Sequence, residues 1–359
     1  MRRAIPLCVF AGQPLIRSWT PGPGFRHTPV FVPRHRDTTR GSILGLPVVT
    51  FLACLCRKGH LPRRAMTTRS DEVALPTRLR EAASSVLLES TDTVAVCGLQ
   101  PVLPGHTVLV AKSLGSRLSQ LSEDAMLDLW RTALRAQVHL ERELATTASN
   151  WAVFDGWFSG QPVAQVHLHV VPRKSGDLDE NDQVYAALEA WTPWPAGGAL
   201  QPPPIAWPAD EHRKERTGEL MAQEAGSYRT GIEGHGSIPE EQAQRESSQA
   251  RSQNLRERYD NAAQLERSHI FFASPSGLSV AFVNLKPLVP GHVLVTPRRV
   301  APRLADLSEE EFDDLFRTVR LVQAVVERHY GAEASRLGIQ DGPDAGQSVP
   351  HVHVRDLQT

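Results

Sequence analysis

The chain contains one internal repeat, and its two copies lie 186 residues apart, as Pro287 lies from Pro101. The run VAVCGLQPVLPGHTVLV at residues 94–110 reads like VAFVNLKPLVPGHVLVT at residues 280–296. Further anchors recur at the same spacing with no net gap: His106 and His292, Ser122 and Ser308, Asp155 and Asp341, and His167 and His353. A repeat this long indicates two copies of one domain and excludes a solenoid, whose units are much shorter.

Each copy has the same predicted elements. Two apolar runs around a Pro-Gly turn predict an antiparallel strand pair. A helix follows, which in the second copy begins with a capping box of Ser308 and Glu311. Apolar residues then recur at helical spacing, namely Phe312, Leu315, Phe316, Val319, Val322 and Val326, and in the first copy Met126, Leu129, Trp130, Ala133 and Leu140. A final alternating strand completes an α+β domain, so we expect two tandem domains, each an antiparallel sheet packed with a long helix.

Composition divides the chain into four parts. Residues 1–75 form an Arg-rich tail, residues 80–195 the first domain, residues 196–266 its C-terminal extension and a polar linker, and residues 267–359 the second domain. The tail has a composition typical of an organellar transit peptide, and the alternative is a disordered tail. Its apolar run is shorter than the roughly 20 residues that span a bilayer, so we expect no membrane segment. We expect a cytoplasmic protein, or a mitochondrial or other organellar one if the tail is a targeting signal.

Charge and cysteine content exclude several classes of protein. The net charge of -1 gives no indication of nucleic-acid binding. The four cysteines form no CxxC pair with His or Cys partners, so the sequence supports neither a disulfide framework nor a structural zinc site.

The last strand of each copy carries polar residues at alternate positions, which project from one face of a sheet. These residues are Gln165, His167 and His169 in the first copy and His351, His353 and Arg355 in the second. The residues between them are apolar and are predicted to face the core: Val166, Leu168, Val170, Val352 and Val354. The pattern therefore places a polar row on a rigid apolar support, which suits a catalytic site.

The block AFVNLKPLVPGHVLV, the helix after it and the run IQDGPDAGQSVPHVHV closely resemble the histidine triad superfamily, and specifically its fragile histidine triad branch of dinucleoside polyphosphate hydrolases. The resemblance covers roughly residues 80–230 and 267–359. It implies a His-x-His-x-His motif whose middle histidine attacks the α-phosphate of a nucleotide and forms a covalent nucleotidyl-histidine, which water hydrolyses. A neutral imidazole is a competent nucleophile near pH 7. By position, the nucleophiles would be His353 and His167.

The resemblance also implies the remaining site residues. The catalytic candidates are His353, His351, His167 and His169. The substrate-binding candidates are Asn284, His292, Gln340, Gln347, Ser348, His106 and Gln161.

Each copy departs from the family pattern in its own way. In the first copy Gln165 stands at the first triad position, Gly98 replaces a ribose-contacting Asn, Phe154 replaces a phosphate-contacting Gln, and Pro162 replaces a hydroxyl residue. In the second copy Arg355 stands at the third triad position, and four residues follow it.

Two explanations compete for this second domain. We favour a domain truncated after its triad strand, as in an incomplete or mis-spliced product. Alternatively, the segment after the first triad serves a fused pseudo-dimer, since members of the family are homodimers and residues 209–228 resemble the family's C-terminal helix. The expected assembly is therefore an intramolecular pseudo-dimer or a homodimer.

The leading function is a nucleotide hydrolase that cleaves dinucleoside polyphosphates such as diadenosine triphosphate. The alternatives are a histidine triad nucleotidyl transferase or phosphoramidase, and a catalytically inactive nucleotide-binding protein. We expect no bound metal, because no acidic or Cys ligand accompanies the histidine row. No cofactor is required by the sequence, although Mg or Mn could accompany the substrate. Neither nucleic acid nor a membrane is an expected partner.

Overall fold

The computed structural model of the chain describes residues 86–97, 100–191, 208, 212–233 and 267–359. The Arg-rich tail at 1–75, Gly98 and most of the predicted linker lie outside the described residues. Among the described helices, none is both long and apolar enough to cross a membrane.

The first repeat has its elements in the expected order. They are β1 (Val86–Glu89), β2 (Thr93–Cys97), β3 (Thr107–Ala111), α1 (Glu123–Leu144), β4 (Ala148–Asp155) and β5 (His167–Arg173). Helix α2 (Gln183–Glu189) follows within the first domain, and α3 (Gly218–Glu233) lies in the described part of the extension. The predicted strand pair around the Pro-Gly turn is β2 and β3, which pair antiparallel.

The second repeat has the same order of elements. They are β6 (Ile270–Ala273), β7 (Ser279–Val283), β8 (Val293–Pro297), α4 (Glu309–Tyr330), β9 (Ser335–Asp341) and β10 (Val354–Gln358). Strand β10 begins one residue after His353, whereas β5 begins at His167. The predicted triad strand therefore starts later in the second repeat than in the first.

The two repeats share one ten-stranded sheet, in the order β1-β2-β3-β5-β4-β9-β10-β8-β7-β6. Strands β4 and β9 join the repeats and pair antiparallel, with Ala152 opposite its own repeat counterpart, Gly338. Pairs on either side of this point are also related by the repeat, because Ser149 faces Asp341 and Asp155 faces Ser335. The junction is thus isologous, with a local two-fold axis through the middle of the sheet.

One apolar core runs beneath both repeats, and the two long helices pack against it. All the helical residues predicted to be apolar and inward-facing in α1 and α4 are buried, which confirms that prediction. The Trp130 ring stacks on Phe316, its repeat counterpart, with centroids 4.2 Å apart, and Trp151 extends this stack. Ser308 and Glu311 form the predicted capping box.

Charged networks with the same local symmetry flank the junction. On one side Arg117 contacts Asp155, with Nε and Oδ2 3.1 Å apart, and also Glu327 from the other repeat. On the other side the repeat counterparts of these residues form the same contacts: Arg303 pairs with Asp341 of its own repeat and with Glu141 of the first repeat. Asp155 and Asp341 are buried. Each arginine therefore pairs with a buried aspartate of its own repeat and with a partly buried glutamate of the other repeat, so that each half of the network depends on the other.

Gly156 and Gly342 lie at the two ends of the paired strands β4 and β9, where the repeats approach each other closely. Both have positive φ values, +104° and +102°, which favour glycine. A Cβ on Gly342 would lie 2.8 Å from the Cβ of Ala148, and one on Gly156 would lie 2.9 Å from the Cβ of Ala334. Only a residue without a side chain allows the repeats to approach this closely.

Helix α3 belongs in sequence to the extension of the first repeat, but it packs against the second. The ring of Tyr228 is fully buried there, with centroids 4.9 Å from Phe271 and 5.1 Å from His329. Arg229 of the same helix donates hydrogen bonds to the carbonyls of Ser268 and Ile270. The fused pseudo-dimer alternative expects this placement, whereas truncation of the second domain stays a prediction.

Candidate active site

His353 is held with one ring nitrogen bonded to the backbone and the other unbonded. Its Nδ1 lies 3.0 Å from the carbonyl oxygen of His351, an acceptor, so Nδ1 carries the proton. The lone pair then resides on Nε2. The residue is partly exposed. Burial, and next the charge of Arg355, lower the pKa of His353 to about 4, so the ring is neutral at pH 7. A neutral, oriented imidazole is the form that a nucleophile requires.

His351 is buried and fixes the backbone beside His353. The backbone N–H of Ala301 donates to its Nδ1 at 3.1 Å. Its Nε2 therefore carries the proton and lies 2.9 Å from the carbonyl oxygen of Pro297 and 2.6 Å from Oγ1 of Thr296. The Thr296 hydroxyl in turn donates to the carbonyl of Val352 at 2.7 Å. The first triad histidine thus acts here through packing and hydrogen bonds with β8.

Asn284 and His292 lie at the two ends of the Pro-Gly loop between β7 and β8. The Asn284 side-chain nitrogen is 3.0 Å from Nε2 of His292, and its Oδ1 accepts from the backbone N–H of Lys286 at 2.9 Å. The backbone N–H of Leu288 donates to Nδ1 of His292 at 3.1 Å. Burial and the nearby arginines hold the pKa of His292 well below its usual range. The loop therefore presents two neutral polar side chains.

Arg355 takes the place of a third histidine and contacts Gln340, whose Oε1 accepts from its Nη2. The other end of the same amide, Nε2, donates to Oδ1 of Asp182 at 3.1 Å. Asp182 precedes α2, in the segment after the first triad strand. The Tyr185 ring of α2 lies 3.8 Å from the position of a Cβ on Gly338. The first repeat therefore supplies one wall of the second repeat's site.

The two remaining candidates of the second repeat differ in position. Gln347 stabilises its own loop, because its Oε1 accepts from the backbone N–H of Gly342 and its Nε2 donates to the carbonyl of Pro302, both at 2.9 Å. Ser348 is exposed. Gln161 repeats the role of Gln347 in the first repeat, since it accepts from the N–H of Gly156 at 2.6 Å.

The first repeat preserves the orientation of its middle histidine. Nδ1 of His167 lies 2.7 Å from the carbonyl oxygen of Gln165, and burial lowers its pKa. Gln165 reproduces one bond of His351, because its Nε2 donates to the carbonyl of Ala111, the counterpart of Pro297. Nε2 of His106 lies 3.0 Å from Nδ1 of His169, a contact for which the second repeat has no equivalent.

Aromatic rings cover these histidines. The Trp191 ring packs edge to face with His169 and His106, with centroids 4.9 Å and 5.7 Å away, and is tilted against His167 at 6.4 Å. Phe154 contacts His169 edge to face at 5.7 Å. Trp191 is only 7% exposed, and Nε2 of both His167 and His169 is buried with no hydrogen-bond partner. The first repeat thus has an oriented imidazole that its own chain closes off.

Trp191, Asp182 and Thr296 were not among the predicted site residues. Thr296 was detectable, because the repeat aligns it with Val110, and a hydroxyl beside the histidine row is a chemical difference. Trp191 and Asp182 lie beyond the strand patterns, and only the fold brings them to the sites. In the described residues, no three His, Cys, Asp or Glu side chains are grouped to hold a metal ion.

A family model described as HIT domain matches residues 79–176 and 267–355, slightly more than half of the chain. The chain belongs to the HIT domain family. The two matches coincide with the two repeats, so the predicted histidine triad family and its tandem arrangement are confirmed.

Two curated relatives are similar to part of the chain. A bis(5'-nucleosyl)-tetraphosphatase (asymmetrical) from Schizosaccharomyces pombe is 60% identical over 87 residues, which are 24% of this chain and 47% of the relative. A bis(5'-adenosyl)-triphosphatase from Dictyostelium discoideum is 49% identical over 90 residues, 25% of this chain and 59% of the relative. This chain therefore spans about half the length of these relatives.

A solved structure, the C. elegans NitFhit protein, is also similar to part of the chain. It is 50% identical, with a TM-score of 0.25, and the match covers 25% of this chain and 22% of that one.

Proposed function

We propose that the second HIT repeat hydrolyses dinucleoside polyphosphates, such as diadenosine triphosphate, through a covalent nucleotidyl-histidine on His353. The observation that carries the proposal is the state of this ring. It is neutral, its Nδ1 proton is bonded to the His351 carbonyl, and its Nε2 lies in a partly exposed site. The names of the two relatives support the class of substrate.

The reaction has two steps. Nε2 of His353 attacks the α-phosphorus, a P–N bond forms, and the bond to the bridging oxygen breaks, so that the rest of the substrate leaves as a nucleoside polyphosphate. The ring then carries a positive charge, which the His351 carbonyl stabilises through the retained Nδ1 proton. Water next attacks the same phosphorus and loses a proton to solvent, the P–N bond breaks, and a nucleoside monophosphate is released while Nε2 recovers its lone pair.

Neighbouring groups have roles that follow from their chemistry. Arg355 is a permanent cation beside His353 and can bind a phosphoryl oxygen once its bond to Gln340 opens. The Asn284 amide is available to a nucleoside hydroxyl, as the family resemblance implies. His351 positions the backbone carbonyl on which the nucleophile depends.

The first repeat is not proposed to turn over substrate. Its His167 has the same orientation, but Trp191 packs against the ring and Nε2 is buried. We propose that this repeat serves as a scaffold that completes the shared sheet and supplies residues to the second site.

The direct test is hydrolysis of diadenosine triphosphate by the full chain, followed by chromatography of the products. Release of adenosine monophosphate and adenosine diphosphate in equal amounts is expected. A rapid quench at high pH, where phosphoramidates survive, should yield a peptide containing His353 with an added adenylyl group by mass spectrometry. Binding without product would instead favour the inactive nucleotide-binding alternative, and product that forms only with an added acceptor would favour transfer.

A further inference from the structure

The extension of the first repeat binds the backbone of the loop that carries Asn284. The carbonyls of three consecutive residues, 284 to 286, accept hydrogen bonds from it. Arg216 donates from its Nε to the carbonyl of Asn284 at 3.0 Å and from its backbone N–H to that of Leu285 at 2.9 Å. Arg213 donates to the carbonyl of Lys286. The conformation of this loop is therefore specified from outside the second repeat.

The same loop sets the orientation of the Asn284 amide. Its Oδ1 accepts from the N–H of Lys286, and its nitrogen lies against His292. The contact of Oδ1 depends on the backbone path from 284 to 286, because a rotation of the peptide plane that contains the 284 carbonyl would redirect the chain that carries the Lys286 N–H. A guanidinium that binds this carbonyl through two nitrogens restricts such a rotation.

The extension also places two arginines at this end of the site, of which Arg216 is ion-paired with Glu224 of α3. Arg355, Arg213 and Arg216 all lie close enough to His292 to lower its pKa, and two of these three cations come from the extension. A polyphosphate is an anion, and cations near its site increase its affinity. Helix α3 anchors the segment through the buried Tyr228.

We propose that Arg216 is a positioning residue of the second repeat's nucleotide site: it holds the Asn284 carbonyl, and through it the amide that meets the nucleoside of a nucleoside polyphosphate. This inference rests on the proposed function of the second repeat. It assigns the extension to the second site, so that the nucleotide site is built from both repeats of one chain.

The test compares Arg216→Met with Arg229→Met in the full chain. Arg229 is a matched control, because it lies on the same extension and also donates to backbone carbonyls of the second repeat, at Ser268 and Ile270. KM and kcat are measured with diadenosine triphosphate, Kd with adenosine monophosphate by calorimetry, and Tm by thermal unfolding. Arg216→Met should raise KM and Kd about tenfold with kcat nearly unchanged, while Arg229→Met lowers Tm without that rise.

Arg216→Lys separates charge from geometry and remains usable if Arg216→Met does not fold. Lysine keeps the cation and loses the two-nitrogen contact with the carbonyl. Recovery of part of the KM and Kd change is expected. Two results would overturn the inference. The first is an equal change in KM for Arg216→Met and Arg229→Met. The second is that both Arg216→Lys and Arg216→Met have the same KM and Kd as the parent protein.

Failure of the proposed function has a separate signature. A parent protein that binds adenosine monophosphate without hydrolysing the substrate would overturn the hydrolase, and the Kd comparison would still decide the role of Arg216. A parent that neither binds nor hydrolyses overturns both.

Discussion

The two repeats differ less in how they orient the middle histidine than in what covers it. His167 and His353 both have Nδ1 within 3.0 Å of the carbonyl oxygen two residues earlier. Trp191 covers the ring of His167, whereas His353 remains partly exposed. Orientation is thus a property of the strand backbone, and access is a property of the segment that crosses the sheet face. A repeat can therefore keep the orientation of its middle histidine and lose access to it.

The segment that closes the first site also builds the second. Residues 174–191 follow the first triad strand, and Trp191 lies at their end over the first histidines. In the same segment Asp182 accepts from Gln340 of the second site. The two repeats have therefore diverged in structure: one copy keeps a partly exposed middle histidine, and the other supplies part of its surroundings.

The largest expected effect separates the repeats by activity. His353→Ala removes the proposed nucleophile and should lower kcat/KM for diadenosine triphosphate by about a thousandfold or more. His139→Ala is the matched control, because His139 lies on α1 and makes an exposed contact with Arg142. The measurement is steady-state product release at pH 7.

The same activity measurement on His167→Ala tests whether the first repeat contributes to turnover. If its activity loss equalled that of His353→Ala, the covering of the first site by Trp191 would not be what prevents turnover. Loss in the His167 variant alone would transfer the activity to the first repeat.

Much of the scaffold could be predicted from the sequence, because burial at a fixed period is a local pattern. The helical positions of α1 and α4 were predicted, and so was the capping box at Ser308. The alternating valines beside the histidines, such as Val352 and Val354, are buried as expected. A resemblance to the family selects His353 and Asn284 as site residues, and their roles stay a prediction.

The surroundings of the sites could not be predicted in the same way. Trp191 lies 22 residues beyond His169 along the chain, and Arg216 lies still farther from the loop it binds. No periodicity connects them to their targets. The position where β4 meets β9 was not predicted either, because the choice between an intramolecular pair and a homodimer depends on the path of the linker. The homodimer alternative stays a prediction.

The second comparison concerns stability on the two sides of the junction. Arg117→Met and Arg303→Met each leave buried carboxylates unpaired, at a cost of about 3 kcal/mol. The cost should be larger for Arg117→Met at pH 7, because Asp356 is a further buried acid near Asp155 and Glu327. Unfolding in urea at pH 7 measures both variants.

Lowering the pH from 7 to 5 should narrow the difference in unfolding free energy between Arg117→Met and Arg303→Met. Burial raises the pKa of Asp155 and of Asp356 above the ordinary value of 3.8. Groups with raised pKa values favour the folded state below their unfolded pKa, and that contribution is lost as the pH rises through the folded pKa. Without Arg117 these carboxyls should take up protons at a still higher pH. A difference that stays constant between pH 7 and pH 5 would argue against Asp356 as its cause.

A smaller effect should appear in the pH dependence of the second site alone. Arg355 is the second cause, after burial, of the lowered pKa of His353. As the pH is lowered from 8, kcat/KM of the parent protein should therefore stay constant and fall only near pH 4, where the proposed nucleophile His353 takes up a proton. In Arg355→Met the pH at which kcat/KM falls should be higher. It should stay below 6.5, the ordinary pKa of histidine, because the contribution of burial to the pKa of His353 remains. Arg142→Met, a change at an exposed arginine of α1, should leave this pH unchanged.

The smallest expected effect restores the first triad position of the covered repeat. Gln165→His should change stability by no more than about 1 kcal/mol, because the carbonyl of Ala111 can accept from an imidazole as that of Pro297 does. In the His353→Ala background it should restore no hydrolysis, since Trp191 still covers His167. Thermal unfolding and product release measure the two quantities. Recovered activity would show that the residue at position 165, rather than the covering ring, silences the first repeat.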